Sequence, residues 1–462
     1  MMPDDFTKMV RLLMRRVWLA MLCLAMAASA QTRTLRIVTY NIADDINGAT
    51  TPLPGLIAPP SAPNNVQAGG VLEGIGEELL NGNAQPLDIL ALQETTSNPT
   101  TVTPMVNALN TFYGVAGMYL NSTYQATESG GSPTSGNGPN AMIYNARTVQ
   151  LLASVPVDPP GGTNNLGSFS SGYSGEYREV MRYQFAPAGV AAASSNIFYI
   201  YVSHYKSGSS STANNTNSRA AEAFIVRSNM VASLPAGARI LHVGDFNTGD
   251  ASERMYATLT APGTNQLMDL LNPARSLTTN WDGGIVPAAL TDSTTDLQYR
   301  DDYQMMTTNV YFGVPGGLKY IPGTYHGFGN NGSTAYTNTV NSGTNTALNN
   351  RLVTNGPVFI SAAQLYLDLT NASDHLPVVA DYTIPLPAPV VTSFSVAGTN
   401  LIFNVANSIT GGIITVLTSS NLLIPPTNWT ALATNVANSG SFRFTNGLNP
   451  ALPGRFFLFQ EK

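Results

Sequence analysis

The chain has 462 residues, enough for one large domain with a small appendage. Charged residues make up only 10% and hydrophobic ones 43%, with 41 glycines and 30 prolines, which excludes a highly charged disordered polymer and a coiled coil. Lys and Arg number 21 against 27 Asp and Glu, a net charge of −6, which excludes a nucleic-acid binder that works through bulk positive charge.

Residues 1–30 read as a Sec-type signal peptide: a basic start (Lys8, Arg11, Arg15, Arg16), an apolar run Val17–Ala27, and Ala28-Ser29-Ala30 as cleavage site. The apolar run is short of the ~20 residues that a membrane anchor needs. Cleavage after Ala30 removes four basic and two acidic residues and leaves 17 against 25, net −8. It also removes Cys23, the only cysteine, and with it disulfides, thiolate nucleophiles and Cys-ligated metals. The expectation is a secreted, soluble, monomeric protein with no membrane span.

From Leu35 to Tyr382 β-like runs alternate with helical patterns and polar loops, which predicts a layered α/β or α+β domain over 31–383. The strands are expected at Leu35–Tyr40, Asp88–Gln93, Ala141–Tyr144, Asn196–Ser203, Arg239–Gly244, Tyr303–Phe312 and Leu376–Tyr382, which are rich in Ile, Val, Phe and Tyr. Val71, Leu72, Ile75 and Leu79 share a helical face ahead of an Asn81-Gly82 stop, and a second helix is expected over Ser218–Ala232 with Ala221, Phe224, Ile225 and Val226 on it. Asn121–Asn140, Gly161–Gly175 and Gly323–Gly356 are rich in Gly, Ser, Asn and Thr and read as surface loops. The Pro-rich run at 384–389 is expected to break regular structure as a stiff linker. Beyond it, 390–462 carries alternating β-formers at Thr392–Val396, Asn400–Val405 and Gly412–Leu417, the pattern of a small C-terminal β-sandwich.

Four polar residues each follow directly on a hydrophobic strand: Asn41, Glu94, His204 and Asp245. Loops beyond strand ends are where layered α/β folds bind ligands. Each residue has an ordinary reading alone, as turn residue, helix-start charge, surface histidine or Asx-turn. The chain also contains Gly244-Asp245-Phe246-Asn247 and Ser373-Asp374-His375, which makes the set harder to dismiss.

The stations Thr39-Tyr40-Asn41, Leu92-Gln93-Glu94, Ser203-His204-Tyr205-Lys206, Gly244-Asp245-Phe246-Asn247, Arg300-Asp301-Asp302-Tyr303 and Ser373-Asp374-His375 occur in order. In this the sequence resembles the endonuclease/exonuclease/phosphatase superfamily over residues 34–383, and within it the bacterial extracellular and pancreatic-type nucleases. The resemblance implies a four-layer α/β sandwich: two mixed β-sheets face to face, flanked by helices.

It also implies a Mg²⁺-dependent phosphodiesterase, with Mn²⁺ as a substitute. Glu94 would supply a hard oxygen ligand, completed by Asn41 and Asp374. Asp245 and Asn247 would orient an attacking water, His375 would serve as base or phosphate clamp oriented by Asp302, and His204 would protonate the leaving oxygen. The sequence leaves the base open between Asp245 and His375. Arg178, and Lys206 in Ser203-His204-Tyr205-Lys206-Ser207-Gly208, are the candidate phosphate contacts. Such nucleases often carry a glutamate partner for the first histidine, where this chain has Gly136-Asn137-Gly138-Pro139-Asn140. Of the remaining histidines, His242 is expected in the sheet as a hydrogen-bonded core residue and His326 as an exposed loop residue. The tail resembles the short C-terminal β-domains of secreted proteins from Verrucomicrobia-type bacteria, through Val416-Leu417-Thr418-Ser419-Ser420-Asn421-Leu422 and Pro426-Thr427-Asn428-Trp429. The leading reading is a sequence-nonspecific nuclease on DNA or RNA. Alternatives are a sphingomyelinase-like phospholipid diesterase, a phosphomonoesterase, or a binding protein on a dead scaffold.

Overall fold

The computed structural model describes residues 31–43, 67–124, 138–157, 179–193, 195–273, 287–332, 338–353, 360–386, 389–406, 413–436, 441–447 and 455–461. Residues 1–30, read above as a signal peptide, the stretch Gly161–Gly175, expected as a loop, and Arg178 lie outside the described residues. The chain divides into two compact units, one of 34–186 with 193–384 and another holding 385–462 together with 187–192 and the residues through Arg33.

In the larger unit the elements run β1 (Gln31–Asn41), α1 (Gln67–Glu77), β2 (Ile89–Gln93), α2 (Thr103–Phe112), β3 (Tyr119–Asn121), β4 (Ala141–Asn145), β5 (Val149–Pro156), β6 (Met181–Pro187) and β7 (Phe198–His204). They continue with α3 (Ala213–Ser233), β8 (Ile240–Asp245), α4 (Arg254–Thr260), β9 (Leu267–Asp269), β10 (Asp302–Thr307), α5 (Thr308–Phe312), β11 (Lys319–Tyr320), β12 (His326–Gly327), α6 (Ala362–Ala372) and β13 (Val378–Leu386). One sheet of seven strands has the order β11-β13-β1-β2-β4-β3 with β12 also on β13, and a sheet of six has the order β5-β6-β7-β8-β10-β9. Both mix parallel and antiparallel pairs.

The period-two alternation of the strands builds the layers. Leu35, Ile37, Ile89 and Ala91 of the first sheet meet Ile200, Val202, Leu241 and Val243 of the second in one buried cluster between the sheets. The intervening Val38, Tyr40, Leu90 and Leu92 pack outward with Val71, Leu72 and Ile75 of α1 and Leu365 and Leu369 of α6. On the other side Tyr201 and Ile240 pack with Val226 and Met230 of α3 and Met255 and Leu259 of α4. Helix, sheet, sheet and helix make the four-layer α/β sandwich.

The expected strand Tyr303–Phe312 is half strand and half helix, because the chain turns into α5 at Thr308 despite its β-branched and aromatic composition. Helix α3 buries Arg219, Glu222 and Val226, whereas Phe224 is exposed, so two charged residues occupy its inner face. Helix α1 ends at Glu77, before Leu79, and the Asn81-Gly82 stop follows as a separate tight turn, both residues at positive φ and Leu80 and Asn83 exchanging backbone hydrogen bonds. Regular structure persists into the Pro-rich run, since β13 continues to Leu386, and proline is tolerated at such a strand end. The stretch Gly323–Gly356 is not merely surface loop. Phe328, Val340 and Leu348 are buried in the outer core, and Asn330 and Asn345 donate to the backbone carbonyls of Pro287, Leu290, Gly329 and Val340.

The smaller unit has two three-stranded antiparallel sheets, β14 (Val390–Ala397), β15 (Asn400–Ala406) and β18 (Phe442–Gly447) in one, and β17 (Thr430–Val436), β16 (Ile413–Ser419) and β19 (Phe456–Glu461) in the other. Phe403, Val405 and Phe444 of the first share a core with Ile414, Val416, Phe457 and Phe459 of the second, forming the small β-sandwich.

Candidate active site

Parallel pairing brings strand ends together. Asn41 pairs with Gln93 across β1 and β2, so Asn41 and Glu94 emerge side by side. His204 pairs with Asp245 across β7 and β8, and Asp302 opens the antiparallel β10 opposite Asp245. Two glycines permit this closeness. A Cβ on Gly244 (φ 138°) would lie 1.9 Å from the Ser203 carbonyl oxygen, and one on Gly138 (φ 55°) would lie 2.4 Å from that of Thr95. Glu94 itself has φ 54°, uncommon for a side chain of its size. Its neighbour Thr95 holds the turn through its N–H (3.3 Å) and hydroxyl (2.7 Å), both donating to the Pro139 carbonyl.

The side chains close into one network. The Asn41 amide nitrogen donates to Glu94 Oε1 (3.1 Å) and Asp245 Oδ2 (3.0 Å) and lies 3.5 Å from His375 Nε2, while its oxygen accepts the Ala43 N–H. His204 Nε2 sits between Asp245 Oδ2 (3.3 Å) and Glu94 Oε1 (3.4 Å). His375 Nδ1 is 2.8 Å from Asp302 Oδ2, and its Nε2 is 3.9 Å from Asp245 Oδ2. Asn41, His204, Asp245, Asp302 and His375 are buried, Glu94 is half-buried and Asp374 is largely exposed.

Two further carboxylates join the site. Asp301 neighbours Asp302 in its station but had no role assigned, and Asp292 had no motif to mark it. Asp292 is carried in by a loop whose backbone closes on Tyr299 and whose Thr291 and Thr294 are bonded to Leu376 and Asp374. Burial, reinforced by neighbouring carboxylates, pushes both carboxyls above their ordinary range. Burial alone would lower His375, but Asp302 first, then Asp292 and Asp245, hold it well above an ordinary histidine.

Asn247, at φ 48°, donates its side-chain amide to the Tyr205 carbonyl and its N–H to Asp245 Oδ1, and so braces the Asp245 turn. Lys206 folds its ammonium onto the Ser207 carbonyl (3.0 Å). Asn140 spends its amide on the Glu179 and Val202 carbonyls. His242 is wholly buried, 2.8 Å from Ser203 Oγ, and burial lowers it to about 3. His326 departs from the exposed residue expected: its side chain is only 16% exposed and pairs with the buried Glu78. The sequence could not show this, because the partner lies 248 residues away.

Glu94, His204 and Asp245 offer ligand atoms all within 4.8 Å of one another, and Asp292, Asp374 and His375 form a second such group. The two carboxylates of the first group fit a divalent cation, with the His204 imidazole beside them. Asp374 falls in the second group, with Asp292 and His375. Next to the site opens a polar cleft of about 220 Å³ lined by Gly208, Ser209, Ser210, Asn247, Gly249, Asp292, Tyr299 and Asp301. No helix among the described residues is long and apolar enough to cross a membrane.

No family model matches the chain, and no curated protein matches it. Among solved structures it is similar to the human Nocturnin catalytic domain, at 16% identity and TM-score 0.39 over 76% of this chain and 97% of that one. It is likewise similar to D. rerio TDP2 complexed with a single-strand DNA product, at 13% identity and TM-score 0.41 over 76% and 98%. A third is an endonuclease/exonuclease/phosphatase from Bacteroides vulgatus, at 15% identity and TM-score 0.39 over 76% and 99%.

Proposed function

We propose that the larger unit is a divalent-metal-dependent phosphodiester hydrolase of the endonuclease/exonuclease/phosphatase kind, acting on DNA or RNA without sequence preference. The observation that carries this reading is the convergence of Glu94, Asp245, Asp292, Asp301, Asp302 and Asp374 around His204 and His375 at one end of both sheets. Such a site repels a phosphate, at about 4 kcal/mol per charge pair 4 Å apart for an effective dielectric of 20. A cation must offset that repulsion. Glu94 and Asp245 would hold the ion with His204 and Asn41 beside them, and the ion would polarise the phosphoryl oxygen and stabilise the charge that builds there.

The chain's own residues supply the proton chemistry. Asp302 accepts the Nδ1–H of His375, which leaves Nε2 as the working nitrogen facing Asp245. Asp245, braced by Asn247, would orient the attacking water, with its proton passing to Asp245 or to His375 Nε2. His204, whose Nε2 lies 3.3 Å from Asp245 Oδ2 and 3.4 Å from Glu94 Oε1, would protonate the leaving oxygen. Lys206 and Arg178 are proposed as phosphate contacts, Lys206 swinging off its own loop. The cleft lining of Gly, Ser, Asn, Asp and one Tyr supports a polar substrate and offers little to an acyl chain, which favours nucleic acid over phospholipid.

The test is a side-by-side assay on plasmid DNA, RNA, sphingomyelin and 4-nitrophenyl phosphate, each with Mg²⁺, with Mn²⁺ and with EDTA. Metal-restored cleavage of nucleic acid supports the proposal. Faster hydrolysis of sphingomyelin or the monoester refutes the nuclease reading, and full turnover in EDTA refutes the metal reading.

A further inference from the structure

Helix α3 carries a wholly buried arginine, Arg219, that none of the sequence motifs includes. All five N–H donors of its guanidinium are used. Nε and Nη2 fork onto Glu253 Oε2 (2.8 Å) and Oε1 (2.7 Å), Nη1 donates to the carbonyls of Lys206 (2.8 Å) and Gly208 (3.0 Å), and Nη2 reaches Ser210 Oγ (3.4 Å). Glu253 in turn accepts from Ser210 Oγ (2.5 Å) and from the Gly249 N–H (3.3 Å). One helical turn on, Glu222 accepts the Lys206 N–H (3.1 Å).

These contacts fall on two loops. Residues 206–210 continue β7 just past His204, and 247–253 continue β8 just past Asp245. Gly208, Ser209 and Ser210 of the first and Asn247 and Gly249 of the second line the same cleft, facing Asp292, Tyr299 and Asp301. Arg219 is not among the residues that line it.

We propose that Arg219 and Glu253 are positioning residues that clamp these two loops into one wall and so set how a chain substrate lies across the cleft. The inference rests on the phosphodiesterase reading for its substrate and on the hydrogen-bond network for its mechanism. A planar five-donor fork is what the arrangement demands. Lysine would keep the charge, but its three donors cannot make the five bonds that Arg219 makes.

The experiment compares wild type, Arg219→Lys and Glu253→Gln as full chains with Mg²⁺, on a short single-stranded oligonucleotide and on bis(4-nitrophenyl) phosphate. The Michaelis constant on the oligonucleotide should rise about tenfold or more, with kcat changed by about threefold or less and the small diester affected by only about threefold. Backbone hydrogen exchange should rise together in 206–210 and 247–250 and stay level in β7 and β8. Equal losses on both substrates overturn the proposal, as does exchange that rises in one loop alone or throughout the chain. If Arg219→Lys does not fold, Glu253→Gln carries the same comparison. A wild type that cleaves neither diester refutes the phosphodiesterase reading, and the exchange data still decide whether the clamp joins the two loops.

Discussion

Replacing His326 with alanine tests the buried charge network beneath the first sheet. The His326 ring has acceptors on both nitrogens: Nδ1 is 2.8 Å from the Thr324 carbonyl, and Nε2 is 2.9 and 3.0 Å from the two Glu78 oxygens. A neutral imidazole has one N–H and cannot satisfy both, so this geometry calls for the imidazolium. Burial would lower its pKa, but the Glu78 carboxylate and the Thr324 carbonyl raise it above the ordinary value. A raised folded-state pKa gives stability that is fully present below the unfolded value of about 6.5 and is lost as pH climbs through the folded value. Glu78 is wholly buried, and the cations left to it are Arg36, which bonds its backbone carbonyl, and the half-exposed Arg351 at 3.7 Å. Removing its partner strands a buried charge, so His326→Ala should cost about 3 kcal/mol at pH 6. As pH rises towards 9 and through the folded value, wild type loses the charged bond, and the difference should shrink by up to about 1.5–3 kcal/mol, the worth of a charge-assisted hydrogen bond. Urea unfolding followed by circular dichroism at both pH values measures this. With four histidines in the chain, His326 can also be assigned in NMR spectra by its absence from the variant. A difference that is constant or larger at pH 9, or a ring titrating at or below 6.5, refutes the reasoning.

Glu94→Gln should weaken Mn²⁺ binding by about 10–100-fold or more in isothermal titration calorimetry, and unchanged affinity would remove Glu94 from the ion site. His204→Ala and His375→Ala should each slow turnover by roughly 10²–10⁴-fold with unchanged circular dichroism, whereas near-wild-type rates would show the proton roles misassigned. Gly244→Ala should destabilise by roughly 2–4 kcal/mol in urea, since its methyl would overlap the Ser203 carbonyl at a strained φ. A loss under about 0.5 kcal/mol would mean that β7 and β8 can part freely.

The strands were legible because each carries its own period, and the layered class followed from their alternation with helices. Interactions that span the chain were not. Arg36 pairs with Asp381 across 345 residues, and Asp292 reaches His375 only because its loop is bonded to the segment before β13. No local spacing encodes either. Helix α5 was misread because Thr308, Val310, Tyr311 and Phe312 are residues that strands favour, and their tertiary setting overrode that preference. Helix α3 buries Arg219 and Glu222 beside Ala221 and Val226, so apolar periodicity alone does not mark its whole inner face.

The site was more legible than the loops around it, and the reason is the pleat. Leu35 and Ile37 point between the sheets, and the same column of β1 ends at Asn41. In β7 the column Phe198, Ile200, Val202 ends at His204, and in β8 the column Leu241, Val243 ends at Asp245. Strand β10 runs the other way, so its column starts at Asp302, passes Gln304, which donates across to the Ile37 and Val378 carbonyls, and reaches Met306 in the core. In β1, β7 and β8 the inward column thus packs until the rim and ends on a candidate site residue, β10 runs the same pattern in reverse, and in β2 the column ends at Gln93, one residue before Glu94. Because the side-chain period is two, a slip of one residue in any of these strands would turn its functional group out of the intersheet space together with its core residues. Packing and chemistry therefore share one register. Inserting a single alanine between Ile200 and Tyr201 should abolish activity and cooperative unfolding together, and an insertion variant that kept a cooperative urea transition and wild-type turnover would show that the register is not shared.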